Sequence, residues 1–134
     1  MSKIIKGLKI NSRRKEIEKL VDPDGGNLDK FEADGLAIFE QSIGGKVSES
    51  LEKGVDAYIF GNKRVSHFGT GGRALDEKSF NKWMEGAFKK HFRDKSIDYY
   101  LIDIRKMTQK QKETVQNAVN NMGEEVAKKT YIIK

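Results

Sequence analysis

The sequence predicts an α+β domain in which N-terminal helices precede a small mixed β-sheet that is packed by two further helices. Three stretches carry this prediction. Apolar bursts around the turn-prone Gly61–Lys63 indicate a β-hairpin. Apolar residues then recur every three or four positions between Asp76 and Phe92, as on one face of a helix. The run from Ile97 to Ile104 is rich in β-branched and aromatic residues and favours a central strand.

The N-terminal part predicts two helices. A short basic amphipathic helix is expected over residues 12–21, and the only proline, Pro23, opens a strong turn signal after it. Asn27 is the expected cap of a second helix, which Gly44-Gly45 ends. The sequence leaves open whether these helices form an integral layer or a removable appendage.

The C-terminal part predicts alternating helices and strands. Asp76 caps the helix that runs to Phe92, and Thr108 with Gln111 fits a capping box that opens another helix. A final strand over residues 129–134 has charged ends, which suit a position at a sheet edge.

Length and composition indicate one domain over residues 1–134, with a helical entry portion (1–50) and an α/β core (51–134). No apolar run approaches the roughly 20 residues that a membrane-spanning helix needs, so no membrane partner is expected. There is no cysteine, hence no disulfide or thiolate metal site, and no secretory signal is visible.

Charge is unevenly spread along the chain. The net charge is +6, yet residues 21–60 carry three lysines against nine acidic residues, while residues 61–95 carry nine basic against four acidic residues. Such segregation is typical of a basic face that attracts an anionic polymer, although a solvated basic surface gives the same counts.

His67 is the first candidate catalytic residue. It lies in the second hairpin strand with the parity of Lys63 and Val65, and Arg73 follows across a flexible glycine turn. A histidine can transfer protons in metal-free RNA cleavage, while Lys63 and Arg73 stabilise charge on the phosphate. Thr70 is the expected positioning group, and no cofactor is required.

RNA contacts are expected from three further residues. Arg64 adds charge beside the histidine, Ser66 can position a phosphate oxygen, and Tyr99 can stack a base. The glycines around Thr70 match neither a Walker loop nor a dinucleotide fingerprint. His91 is expected at the core edge of its helix.

Two other functions remain open. Glu40, Asp56 and Lys63 follow the order of a Mg²⁺-dependent nuclease site, but Gly61 replaces the acid expected two positions before the lysine. The other is a non-catalytic module that binds nucleic acid or protein through its basic surface.

The segment SIDYYLIDIRKMTQKQKETVQNAV, followed by KKTYIIK, resembles the ending of bacterial polymorphic-toxin nuclease domains. The His67–Arg73 pair and the chain length resemble the C-terminal ribonuclease modules of contact-dependent growth inhibition systems. The resemblance covers residues 55–134. The chain departs from some relatives, since Asn62 and Arg64 stand where those have acidic or threonine residues.

This resemblance implies a barnase/RelE-like fold and metal-free cleavage of tRNA. It implies a toxin that acts in the cytoplasm of a target bacterium after export as the C-terminal part of a larger protein. A cognate immunity protein is the implied partner, and a host activating protein is left open.

Overall fold

Six strands form one mixed sheet in a computed structural model that describes residues 2–5, 11–23, 25–71 and 73–134. The sheet order is β1-β6-β5-β4-β3-β2. The pairs β1–β6, β6–β5 and β5–β4 are parallel, whereas the pairs β4–β3 and β3–β2 are antiparallel. The strands are β1 (Lys3–Ile5), β2 (Val47–Glu49), β3 (Ala57–Ile59), β4 (Lys63–Gly69), β5 (Tyr99–Asp103) and β6 (Thr130–Ile133).

Five helices in the described residues complete the α+β fold, which confirms the predicted class. They are α1 (Asn11–Ile17), α2 (Lys30–Ile43), α3 (Glu77–His91), α4 (Gln109–Asn120) and α5 (Glu124–Ala127). None of the helices in the described ranges has the length and apolar character that crossing a membrane requires.

The predicted hairpin is present as β3 and β4, with Tyr58 paired to Arg64. Its turn uses two residues of positive φ, Phe60 at 53° and Gly61 at 84°. Glycine adopts this conformation without strain, whereas Phe60 does so at a cost.

Helices α2, α3 and α4 each begin after a short polar side chain, as the sequence predicts for α3 and α4. Asp76 accepts a hydrogen bond from the Ser79 backbone N–H, and Thr108 and Gln111 form the reciprocal capping box. The cap of α2 is Asp29 instead of Asn27, because Asn27 forms an isolated β-bridge with Val21 across the Pro23 turn.

The structure differs from the sequence predictions at three strands and at the end of α1. The strand that was expected at an edge, β6, lies between β1 and β5, and the edges are β1 and β2. Neither β1 nor β2 was predicted, and α1 ends at Ile17, before the expected residue 21. Asp24 of the predicted turn and Gly72 of the glycine cluster lie outside the described residues.

The sheet is covered on both faces. Helices α1 and α2 pack on the face that carries Val65, Leu101 and Ile133. Helices α3, α4 and α5 pack on the face that carries Phe68 and Ile102. The N-terminal helices are therefore an integral layer, and residues 1–50 also supply β1 and β2 to the same sheet.

The direction of α2 determines what lies at each end of the strands. Phe39, in its C-terminal half, contacts the rings of Tyr99 and Tyr131 near the amino ends of β5 and β6. Gly35, in its N-terminal half, lies over His67 and Asp103 near the carboxyl ends of β4 and β5. The first turn of α2 thus meets the carboxyl edge of the parallel strands, where α/β folds commonly bind ligands.

Candidate active site

Gly35 allows α2 to lie directly on the polar side chains at this edge. A Cβ at position 35 would lie 2.6 Å from His67 Nε2 and 3.2 Å from Asp103 Oδ2. No side chain fits in that space unless the buried histidine moves. The absence of a side chain at Gly35 is therefore what places the helix backbone against the imidazole.

His67 is buried, and its side chain is 2% exposed. Its Nε2 lies 3.8 Å from Asp103 Oδ2, which is longer than a hydrogen bond, and it has no hydrogen-bond partner among the described residues. Burial alone would lower the pKa of His67, but the charges of Asp103, Asp56 and Glu32 outweigh burial and raise it. The acidic side chains around the buried imidazole thus favour its protonated form.

Asp103 lies between this histidine and the guanidinium group of Arg105, which we call the arginine fork. Arg105 donates from Nε to Asp103 Oδ1 at 2.9 Å and from Nη2 to Oδ2 at 2.7 Å, and its Nη1 bonds to Asp34. The guanidinium also lies 5.4 Å from the ring centre of Phe31. Burial would raise the pKa of Asp103, but His67 and Arg105 outweigh it and lower that pKa. Asp103 therefore stays ionised and holds the guanidinium in one orientation.

Two carboxyl groups with raised pKa values complete the cluster. Asp56 accepts a 2.7 Å hydrogen bond from the His67 backbone N–H, and burial raises its pKa. Burial also raises the pKa of Glu32 to about 8, and the nearby charges of Asp56 and Asp29 add to this effect. Glu32 and Asp56 are both partly exposed. They are the members of the cluster whose carboxyl pKa values are raised and which also reach solvent.

A cavity of 760 Å³ opens at the same edge of the sheet. Arg105 and Asp34 belong to its wall, so the cavity is continuous with the cluster. The wall combines four cationic side chains with two acids, one aromatic ring and a glycine: Arg14, Lys30, Arg105, Lys106, Asp29, Asp34, Phe31 and Gly71. The excess of cations favours an anionic ligand.

The predicted catalytic residues are only partly brought together. Lys63 is exposed at the start of β4, four residues before His67, which is roughly 13 Å along a strand. The two do not flank one groove. Thr70 is buried and donates its hydroxyl to the Arg73 carbonyl at 2.7 Å, while the exposed Arg73 bonds back to the Thr70 carbonyl at 3.4 Å. These contacts stabilise the turn after β4.

The predicted RNA-binding residues lie elsewhere in the fold. Arg64 is paired with Glu52 at 3.1 Å, and Tyr99 packs its ring between those of Phe39 and Tyr131 at the opposite end of the strands. Ser66 is buried on the α3 face, 3.3 Å from His91 Nδ1, and is not accessible to a polynucleotide. His91 stacks on Phe68 at the core edge, as expected.

The candidate magnesium residues are separated. Glu40 accepts two hydrogen bonds from Arg13 and one from the Val47 backbone N–H, far along α2 from the cluster. Asp56 lies in the His67 cluster, and Lys63 is exposed at the other end of β4. Among the described residues, no three His, Asp or Glu side chains form a group suited to a metal ion.

Sequence reasoning missed four members of this site: Glu32, Asp34, Asp103 and Arg105. A usable signal was the polar Asp103–Arg105 pair directly after a buried strand, since residues at the carboxyl ends of parallel strands often bind ligands. The mid-helix glycine at position 35 is a second signal, because glycine weakens a helix unless close packing requires it.

Comparison with known proteins finds no matching family model, and it finds no significantly similar curated protein or solved structure.

Proposed function

We propose that the protein is an endoribonuclease that cleaves RNA by attack of a 2′-hydroxyl on the adjacent phosphate. The observation that carries this proposal is the pair of raised-pKa carboxyl groups, Glu32 and Asp56, around His67. Neither carboxyl belongs to the wall of the cationic cavity, to which the cluster is connected through Asp103 and Arg105. Titratable groups with strongly shifted pKa values, gathered at a cavity, are typical of catalytic sites.

The carboxyl pair matches the proton transfers of this reaction. The 2′-oxygen forms a bond to phosphorus, the bond to the 5′-oxygen breaks, and the products are a 2′,3′-cyclic phosphate and a 5′-hydroxyl. One group accepts the 2′-hydroxyl proton, and another donates a proton to the leaving oxygen. Neighbouring carboxyls of raised pKa titrate as a pair, so one can be ionised while the other is protonated.

The cationic side chains supply the electrostatic part. Arg105 is oriented by Asp103 and Asp34, and Lys30 and Lys106 line the same cavity. A cation that is already oriented stabilises charge on the phosphate without reorganising during the reaction. In this proposal buried His67 is a positioning residue: it keeps Asp103 ionised, and Asp103 orients the Arg105 fork.

The biological setting in this proposal is that of a polymorphic toxin. The support is the resemblance of residues 55–134 to such domains, together with the net charge of +6, which suits an RNA substrate. On this basis the substrate is tRNA in the cytoplasm of a target bacterium. The chain is delivered as the C-terminal part of a larger protein, and a cognate immunity protein blocks the cavity.

Glu32→Gln tests the catalytic assignment. We expect kcat to fall by about 10²- to 10⁴-fold with little change in KM, because the substitution removes a proton-transfer group but retains its size. Glu113→Gln, on the exposed surface of α4, is the charge-matched control and retains full activity. The readout is cleavage of purified tRNA, with the product ends sequenced to detect the cyclic phosphate.

Three results would contradict the proposal. Full activity in Glu32→Gln removes the carboxyl pair from catalysis. Loss of wild-type activity in EDTA, restored by Mg²⁺, favours the metal-dependent nuclease. A wild-type chain that neither cleaves RNA nor arrests growth on intracellular expression favours a binding module.

A further inference from the structure

Helix α3 carries a row of lysines on its outer side. Lys78, Lys82 and Lys89 are separated by four and seven residues, so they lie on the same side of the helix over about 16 Å. All three are exposed, and none forms an ion pair in the part of the chain that the structure describes. We call these three residues the lysine ridge.

Lys82 and Lys89 lie three and four residues from Glu85, at spacings that stabilise a helix, but helix stability does not account for Lys78. Cations stabilise the C-terminal turn of a helix, which suits Lys89, but they oppose the helix dipole near its N-terminus. Lys78 lies in the first turn of α3, where this opposition is strongest. Glu85 lies between Lys82 and Lys89 on the same side and is the one acidic residue there. The row therefore points to an external anion.

The ridge is rigidly connected to the active-site cavity. Trp83 of α3 donates from Nε1 to the Gly69 carbonyl at 2.9 Å, at the end of β4. Two residues later, Gly71 lines the cavity. The turn after β4 therefore contacts α3 and also contributes to the cavity wall.

We propose that the lysine ridge binds the sugar–phosphate backbone of RNA outside the cavity, so that a polynucleotide is held at two places on the protein. The identity of the polymer as RNA rests on the proposed function. The chemistry fits a polymer and not a free nucleotide, because cations spaced along about 16 Å match a run of phosphates that repeat every few ångströms. Extended contact of this kind gives affinity without reading sequence.

The test separates binding from cleavage by using an RNA that cannot be cut. The probe is a fluorescein-labelled single strand of about twenty nucleotides with every 2′-hydroxyl methylated, and binding is measured by anisotropy across a salt series. The ridge variant is Lys78→Gln/Lys82→Gln/Lys89→Gln. The control, Lys19→Gln/Lys46→Gln/Lys53→Gln, removes the same charge from exposed positions on other elements.

We expect the ridge variant to bind about tenfold or more weakly, with the slope of log K against log salt reduced by about 2, since each lost contact to a single strand removes about 0.7. Glu85→Gln should bind more tightly than wild type because it removes the opposing charge. Cleavage of a dinucleotide should fall less than cleavage of tRNA in the ridge variant, because a dinucleotide has too few phosphates to contact the cavity and a row of about 16 Å together.

Equal weakening in the ridge and control variants would overturn the inference, since it would show an effect of net charge alone. No binding of the probe by the wild type would overturn it as well. Failure of the proposed function is a different result: the wild type binds the probe through the ridge but does not cleave any RNA.

Discussion

On the α2 side of the sheet, acidic and basic side chains are buried against one another, whereas on the α3 side the buried layer is aromatic and the lysines lie in solvent. His67, Asp103 and Arg105 represent the first arrangement. The stacked rings of Phe68 and His91 and the exposed Lys82 represent the second. Under the two proposals made above, this difference is a division of labour, with proton transfer under α2 and binding of a polyanion on α3.

The largest expected effect comes from the buried arginine fork. Arg105→Met leaves Asp103 buried with one cationic partner fewer and also frees Asp34. We expect a loss of about 3 kcal/mol in the free energy of unfolding, because an uncompensated buried carboxylate is costly. Urea denaturation followed by circular dichroism measures it.

The matched control for this prediction is Arg64→Met. Arg64 also forms a fork with a carboxylate, Glu52, but both side chains are about 40% exposed. Water screens that pair, so its loss should be barely measurable. Equal destabilisation by the two substitutions would show that the two sides do not differ in the way proposed.

A pair of glycines provides the next contrast. Gly35→Ala places a methyl group 2.6 Å from the buried His67 Nε2 and should destabilise the protein by about 2 kcal/mol through overpacking. Gly86→Ala, in α3, meets nothing within 4 Å and should stabilise by about 0.5–1 kcal/mol through helix propensity. Thermal unfolding of both variants measures the difference, and shifts of the same sign would contradict it.

The stability contributed by one residue on each side should also depend on pH, in opposite directions. These are the smallest effects that we predict. The pKa of Glu32 rises from 4.5 to about 8 because of burial, with Asp56 and Asp29 adding to the shift. Its contribution to stability is complete below pH 4.5 and is lost as pH rises through 8. Glu32→Gln should therefore flatten the stability curve between pH 4.5 and 8 by about 1 kcal/mol, a figure reduced for the partial exposure of the carboxyl.

The lowered pKa of His91 predicts a loss of stability at acidic pH. Burial, with the charges of Lys90 and His67, lowers its pKa from 6.5 to about 4. Its contribution is complete above pH 6.5 and is lost as pH falls through 4. His91→Gln should flatten this part of the stability curve by about 1 kcal/mol, reduced again for partial exposure. Urea midpoints between pH 4 and pH 9 test both variants. If either variant has the same pH dependence of stability as the wild type, the residue that it replaces is not the source of that dependence.

The features that were predicted correctly are those that depend on residues close together in the sequence. The hairpin turn, the Asp76 cap and the Thr108 capping box all depend on residues within a few positions of each other, and all are confirmed. Strands β1 and β2 were missed because three residues are too few to show a period. Each is a strand because a neighbour pairs with it.

The site was predicted only in part for the same reason. His67 was identified from its basic neighbours in the sequence, but its contacts come from α2 and from the end of β5. Arg105 and Asp34 are 71 positions apart, and only the packing of α2 on the sheet joins them. Neither residue has a local pattern that indicates the other.

The parallel pairing of β1 with β6 also affects how the chain folds. The first and last strands of the described chain are neighbours, and β6 is buried between β1 and β5. During synthesis, β1 has no partner in the sheet until β6, which lies more than 120 residues later, has been made. Contacts between such distant residues slow folding, because a long loop must close before they form. The pairing of β1 with β6 is thus the longest-range strand contact in the sheet, and we expect it to form late in folding.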